Sequence, residues 1–355
     1  MIHEQQLNTL RLIPLCLACL LLTLACGGGL APIATPTPTP SLPPLLLPAD
    51  EAPHAVQTEW WYFNIHLNGP GGDRYALHYV IFQIAEPESG RLLYVGQVGF
   101  ANAQSGSYVT GERVATAAGL PVTPEPRFDL RIGDWSIEGT SGAYRLKADV
   151  QGAAFDLELT GKGLVLLHGD DGLVDFGASG VSYYYSRPRL AVSGTLTINS
   201  ETKPVTGLAW LDKQWGNFQP VSIAWDWASI QLDSGVDLML TRVVDREGGP
   251  VVLYGTLGRA DGSVVSLGDG DFQLEPLPGE TWVSAESGDV YPMVWRVRVP
   301  AEEIDVTLEP LVPGAEYISA ALGVVYWEAG VTVSGTQAGQ PVGGQGFVEL
   351  TGRRP

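Results

Sequence analysis

Two carboxyl side chains in this sequence stand among tryptophans. Asp212 lies between Trp210 and Trp215, with Trp225 and Trp227 shortly after it, and Glu59 directly precedes Trp60 and Trp61. A carboxyl walled by indoles is kept from water, which disfavours its charged form and equips it as a general acid. Ring faces add stabilisation for a developing positive charge. Each carboxyl also has a structural reading. Glu59 could sit at a strand entrance accepting backbone or indole N–H bonds, and Asp212 could hold a closing strand in place. Each aromatic side chain can bury ~150–250 Å², so a cluster of this size dominates its surroundings and can line a cavity. Tyr183 and Tyr184 would point to opposite faces of a strand, so at most one of them can face such a cavity. His66 and His78 could share a cavity, but no third ligand stands at a recognisable spacing, so no metal is expected.

An internal repeat shows which elements position these residues. Trp60-x-Tyr62-x-x-Ile65-x-Leu67 returns as Trp225-x-Trp227-x-x-Ile230-x-Leu232, at an offset of 225 − 60 = 165. Pro204-Val205-x-Gly207-x-Ala209-Trp210-x-Asp212 returns as Pro341-Val342-x-Gly344-x-Gly346-Phe347-x-Glu349, at 341 − 204 = 137. Tyr185 stands nine residues before Gly194, as Tyr326 does before Gly335, which aligns Tyr183 and Tyr184 with Val324 and Val325. Two units with the same opening and closing strands make a tandem of related β domains. Short alternating runs such as Tyr75–Phe82 and Trp295–Val299, separated by Asn68-Gly69, Asp171-Gly172 and Asp261-Gly262, predict antiparallel barrels or sandwiches. The first domain is expected over residues 51–218 and the second over 219–355, with its closing strand at Gln345–Leu350. The repeat partner of Glu59 is Ala224 and that of Asp212 is Glu349, which leaves Glu59 the more unusual acid and Asp212 open to the strand-closing role.

Residues 1–25 have the make-up of a secretory signal: Arg11, a short apolar run, then Leu24-Ala25-Cys26 as in a bacterial lipobox. Cys16, Cys19 and Cys26 are the three cysteines, so the mature body has no thiol and Cys26 would carry the lipid. Residues 26–50 are rich in Pro and Thr and predict an extended tether of roughly 60 Å. These features predict an extracytoplasmic protein lipid-anchored to a bacterial cell membrane. A net charge of −19 without a basic stripe excludes a nucleic-acid partner. No P-loop, dinucleotide fingerprint or nucleophile elbow is present, and no cofactor is expected.

Glu59-Trp60-Trp61-Tyr62-Phe63, Ser182-Tyr183-Tyr184-Tyr185-Ser186 and Gly207-Leu208-Ala209-Trp210-Leu211-Asp212-Lys213-Gln214-Trp215-Gly216 resemble the carotenoid 1,2-hydratase (CrtC)/AttH-type lipocalin-like family. Trp225-Asp226-Trp227-Ala228-Ser229-Ile230-Gln231-Leu232 and the ending Gly346–Gly352 extend the resemblance over about residues 55–352. It implies two successive lipocalin-like β-barrel or sandwich domains with a hydrophobic ligand site near their junction. The contacts there would be Trp60, Trp61, Tyr62, Tyr183 and Tyr184 from the first domain's strands. Trp210, Trp215, Trp225, Trp227 and Gln231 would supply the rest. It also implies that an ABC-type export system is a partner, because AttH-type proteins look like companions of such systems.

Hydration of a double bond needs a proton donor, tolerance of a carbocation and water; Asp212 or Glu59 would be the acid. The family motif often carries His after this Asp, and here Lys213 stands there. Two functions therefore stay open: a membrane-tethered binder of a lipid- or polyene-like molecule, which the missing His favours, and a hydratase, isomerase or cyclase acting on one.

Overall fold

The computed structural model describes residues 42–86, 89–116, 126–161, 163–220, 223–245 and 249–352. The expected signal, Cys26 and most of the tether lie outside the described residues. The described residues from 44 onward form one compact unit. Its frame is two large antiparallel sheets, and the chain finishes the first before it starts the second.

The first sheet runs, in spatial order, through Ser107–Thr116, Leu92–Asn102, Arg74–Ala85, Thr58–Asn68, Glu201–Phe218, Gly180–Ile198, Ala153–Thr160, Ala143–Val150, Trp135–Thr140 and Phe128–Ile132. Its two ends curl together. Arg113 lies 4.8 Å over the Trp135 ring and bonds Asp149 at 2.8 Å, and a Cβ on Gly111 would stand 3.2 Å from that ring. The second sheet follows the same plan: Val264–Leu267, Pro250–Gly258, Asp237–Asp245, Ile223–Leu232, Gln340–Thr351, Val324–Gln337, Ile304–Pro310, Trp295–Val299 and Gln273–Pro276. In both, the opening strand pairs with the closing strand, which places that pair in the middle of the sheet. The all-β, two-barrel architecture is thus as the sequence indicates.

Registers reproduce the repeat. Tyr62 pairs with Asp212, and their counterparts Trp227 and Glu349 pair with each other. One alignment needs correction. The pairing shifts between Arg187 and Leu190, where the extra residue of a bulge accommodates Pro188, which has no N–H to donate. Upstream of the bulge the count moves by one. Tyr184 faces Gln214 and Tyr326 faces Thr351, and 214 + 137 = 351, so Tyr184 and not Tyr185 is the counterpart of Tyr326. Ser186, opposite Asp212, corresponds to Glu328, opposite Glu349.

Strand alternation sorts the side chains into three cores. Trp61, Phe63, Ile65 and Leu67 point into the first barrel. Ala228, Ile230 and Leu232 point into the second. The alternate positions point outward but are also buried, because the outer faces of the two barrels pack on one another: Tyr62, Ala76, Val80, Tyr184, Trp210, Trp227, Met239 and Phe347 form this junction core.

Candidate functional site

The junction core is apolar around a dense set of buried polar groups. Asp212 is 3% exposed and receives three donors: the Trp210 indole N–H at 2.6 Å, the Tyr184 hydroxyl at 2.5 Å and the Ser186 hydroxyl. The Trp227 indole N–H reaches across from the second barrel to the Tyr184 oxygen at 3.1 Å. Burial pushes the Asp212 carboxyl up to about 6, with the Ser186, Tyr184 and Trp210 donors opposing it.

His168 completes this group. It precedes a turn between short strands that pair with Gly180–Ile198, and it is fully buried. Its Nε2 lies 2.7 Å from the Ser186 oxygen and its Nδ1 2.8 Å from the Thr256 hydroxyl of the second barrel. Ser186 has one proton, which goes to Asp212, so it must accept from a protonated Nε2. Nδ1 is then the acceptor for Thr256. Burial holds the ring neutral by pushing its pKa down to about 3. The result is a continuous path of hydrogen bonds, Thr256–His168–Ser186–Asp212, across the junction.

The second barrel builds a related group beside it. Glu328, 1% exposed, accepts from the Tyr62 hydroxyl and from Asn64 Nδ2 at 2.7 Å, both from the first barrel. Its cross-strand neighbour Glu349 bonds the Trp225 indole, and burial pushes that carboxyl up to about 7 despite the indole, with Asp212 adding to the rise. Burial, then Glu349, holds the Glu328 carboxyl well above the usual range. The Tyr62 ring stands edge-on to Trp227 at 6.1 Å and joins the two groups.

The other sequence candidates divide between the two faces. Trp60 stays on the outer side, edge-on to Phe218 and Phe82 at 5.4 and 6.0 Å. Gln231 ties the barrels together by bonding the Ala209 carbonyl at 3.3 Å and the Pro188 carbonyl. Glu59, Trp61, Tyr183 and Trp215 do not face the junction. Glu59 pairs with Lys213, both wholly buried, and accepts the His54 N–H at 2.7 Å. The Lys213 ammonium lies 4.2 Å over Trp61 and 4.7 Å over Trp215, on which His54 and Tyr183 stack. Asp212 and Lys213 are neighbours in sequence and face opposite sides of one strand. An open aromatic-walled cavity at the junction was the expectation. The structure instead packs Tyr62, Tyr184, Trp210 and Trp227 to 7% exposure or less. A cleft of about 310 Å³ opens elsewhere, on the first barrel at Asp134, Lys147, Asp156 and Thr197.

Sequence reasoning missed His168, Ser186 and Glu328. A signal for Glu328 existed: it stands in the strand before Glu349 in the same way as Ser186 stands before Asp212, once the bulge is allowed for.

Fold and site together define a two-barrel β protein with a buried acid cluster between its barrels. A family model described as AttH-like matches residues 38–353. An AttH crystal structure from Nitrosomonas europaea is 31% identical, with 89% of this chain and 100% of that one covered at a TM-score of 0.79. The chain belongs to the AttH-like family. It is also 20% identical to the kievitone hydratase of Fusarium solani subsp. phaseoli over 86% of each chain. A kievitone hydratase structure from Nectria haematococca shares the fold, at 19% identity and a TM-score of 0.71 over 87% of this chain and 93% of that one.

Proposed function

We propose that this protein is a hydratase-like enzyme whose junction binds a hydrophobic, unsaturated small molecule and adds water to it, or removes water from it. The observation that carries this reading is Asp212, buried among aromatic rings and linked through Ser186 to a neutral histidine. With a pKa near 6 it is mostly ionised at neutral pH yet takes a proton readily, which suits a base acting on water. Ser186 and His168 hold the carboxylate in place, each donating toward it. The preference for a mere binder rested on Lys213 replacing a histidine beside Asp212, and His168 supplies a ring at the same carboxylate by another route. The relationship to kievitone hydratase supports the same choice.

Binding requires the packed junction to open. The two barrels meet through side chains rather than through a shared sheet, so a small separation would suffice.

The test uses kievitone and lycopene as probes in isotopically labelled water, with product oxygen read by mass spectrometry. Label in the product, a rate that rises with pH through about 6 and loss of turnover in Asp212→Asn are the expected results. Binding without label in any product would return the reading to a carrier.

The setting we propose is extracytoplasmic, with lipid at Cys26 holding the body near a membrane on its Pro/Thr-rich tether and an ABC-type export system as partner. An apolar ligand poorly soluble in water supports this placement. Cys26→Ser is expected to move the protein from the membrane to the soluble fraction; a variant that still pellets would sink the anchor.

A further inference from the structure

We propose that Glu328 is a neutral carboxylic acid and that it donates the proton to the substrate's double bond, opposite Asp212. The inference rests on the hydratase reading above and assigns the second of the two groups that such a reaction needs.

Hydrogen-bond polarity carries it. The Tyr326 hydroxyl lies 2.8 Å from Gln97 Oε1, an acceptor only, so Tyr326 donates there. Its oxygen must then accept from His78 Nε2, 3.4 Å away. His78 is buried, and burial alone pushes its pKa down to about 3, so the ring is neutral and Nδ1 is a bare acceptor. Glu328 Oε2 stands 3.1 Å from that bare nitrogen. As a carboxylate oxygen it would have no hydrogen-bond partner, since two lone pairs would face each other. With the proton on Oε2, the carboxylic acid donates to Nδ1, while Oε1 accepts from Tyr62 and Asn64. The proton then removes the clash of lone pairs between Oε2 and Nδ1.

The cross-strand pair makes the same demand. Glu328 and Glu349 face each other directly on neighbouring strands, Glu328 buried and Glu349 partly so. Two like charges so placed repel strongly, so at least one must be protonated. In the first barrel the equivalent position holds Ser186, and Asp212 there is free to ionise. One scaffold thus gives two environments and drives the carboxyls apart in acidity, the pattern that separates an acid from a base. Asn64 Oδ1 is buried beside Glu328 without a hydrogen-bond partner and can accept an O–H of the substrate or of water.

The reaction balances. The π pair takes the Glu328 proton and forms a C–H bond, leaving a cation on the adjoining carbon among the aromatic rings. The water oxygen forms the C–O bond, and its surplus proton passes to the Asp212 carboxylate. Return of that proton to Glu328 through solvent restores the starting state. No oxidant, reductant or metal is consumed.

Glu328→Gln decides the matter, because a glutamine reproduces a protonated glutamate: its oxygen accepts from Tyr62 and Asn64 and its N–H meets His78 Nδ1. The variant is expected to melt like the wild type and to hydrate the kievitone or lycopene probe about a hundredfold more slowly or worse. Infrared spectra at about pH 8, above the Asp212 and Glu349 values, should show the C=O stretch of a protonated carboxyl in the wild type and in Glu349→Gln, and not in Glu328→Gln. A band that survives Glu328→Gln, or an undiminished rate, overturns the proposal. Should Glu328→Gln fail to fold, His78→Ala gives the reading, since loss of the acceptor must shift the band and an unmoved band overturns it. If the wild type shows the band but hydrates neither probe, the hydratase reading fails and the donor role with it. Loss of the band in Glu328→Gln would in that case still fix Glu328 as a neutral acid.

Discussion

Replacing Asp212 by Asn should stabilise the protein in alkaline solution and not in acid. The carboxyl is raised from 3.8 to about 6 on folding, chiefly by burial. The folded state therefore holds this proton more tightly than the unfolded chain. The resulting stability is fully present below pH 3.8 and is lost as the pH rises through 6. The shift is worth about 3 kcal/mol, at about 1.4 kcal/mol per pH unit. Between pH 4 and pH 8 about 2–3 kcal/mol of it is expressed, since the unfolded carboxyl is already partly ionised at pH 4. Asn keeps the shape and an acceptor for the Trp210 indole but carries no charge, and the Tyr184 and Ser186 hydroxyls can turn to suit it. The melting temperature of Asp212→Asn relative to wild type should accordingly rise by roughly 4–6 °C from pH 4 to pH 8, taking about 2 °C per kcal/mol for a body of this size. Differential scanning calorimetry of both proteins at the two pH values measures it, with Glu349→Gln as a background to remove the coupled titration. An equal difference at both pH values would show that Asp212 is not desolvated and would remove the ground for its role at the junction.

Lys213→Met should cost about 3–5 kcal/mol, because it leaves Glu59 charged in the first barrel without its partner. The double variant with Glu59→Gln should recover most of that in urea denaturation. Trp227→Phe should lose about 1 kcal/mol through the indole bond to Tyr184 and should weaken binding of a fluorescent polyene, measured by titration. Deletion from Gln345 onward removes half of the strand Gln340–Thr351, which pairs with both Ile223–Leu232 and Val324–Gln337. Leaving both edges unpaired should unfold the second barrel, seen as lost near-ultraviolet circular dichroism.

What the sequence determined follows from local rules. The repeat fixed the opening and closing strands of each barrel, since strand pairing and alternation depend on spacing along the chain. The motifs placed Trp210, Trp227, Tyr62, Tyr184 and Asp212 together, and alternation correctly separated Tyr183 from Tyr184. The tertiary structure decided which face meets which environment. His66 and His78 read as able to share a cavity, and packing of one barrel on the other buries both instead. Glu59 and Asp212 looked alike, each a carboxyl beside indoles. Strand direction sends Glu59 into the first barrel with Lys213 and Asp212 to the junction. A bulge at Pro188 moved the tyrosine alignment by one residue and hid the equivalence of Ser186 and Glu328. His168, 44 residues before Asp212 in the sequence (212 − 168), reaches it only because two short strands return against Gly180–Ile198. Contacts of that kind depend on how non-local strands meet, and no spacing along a single chain records them.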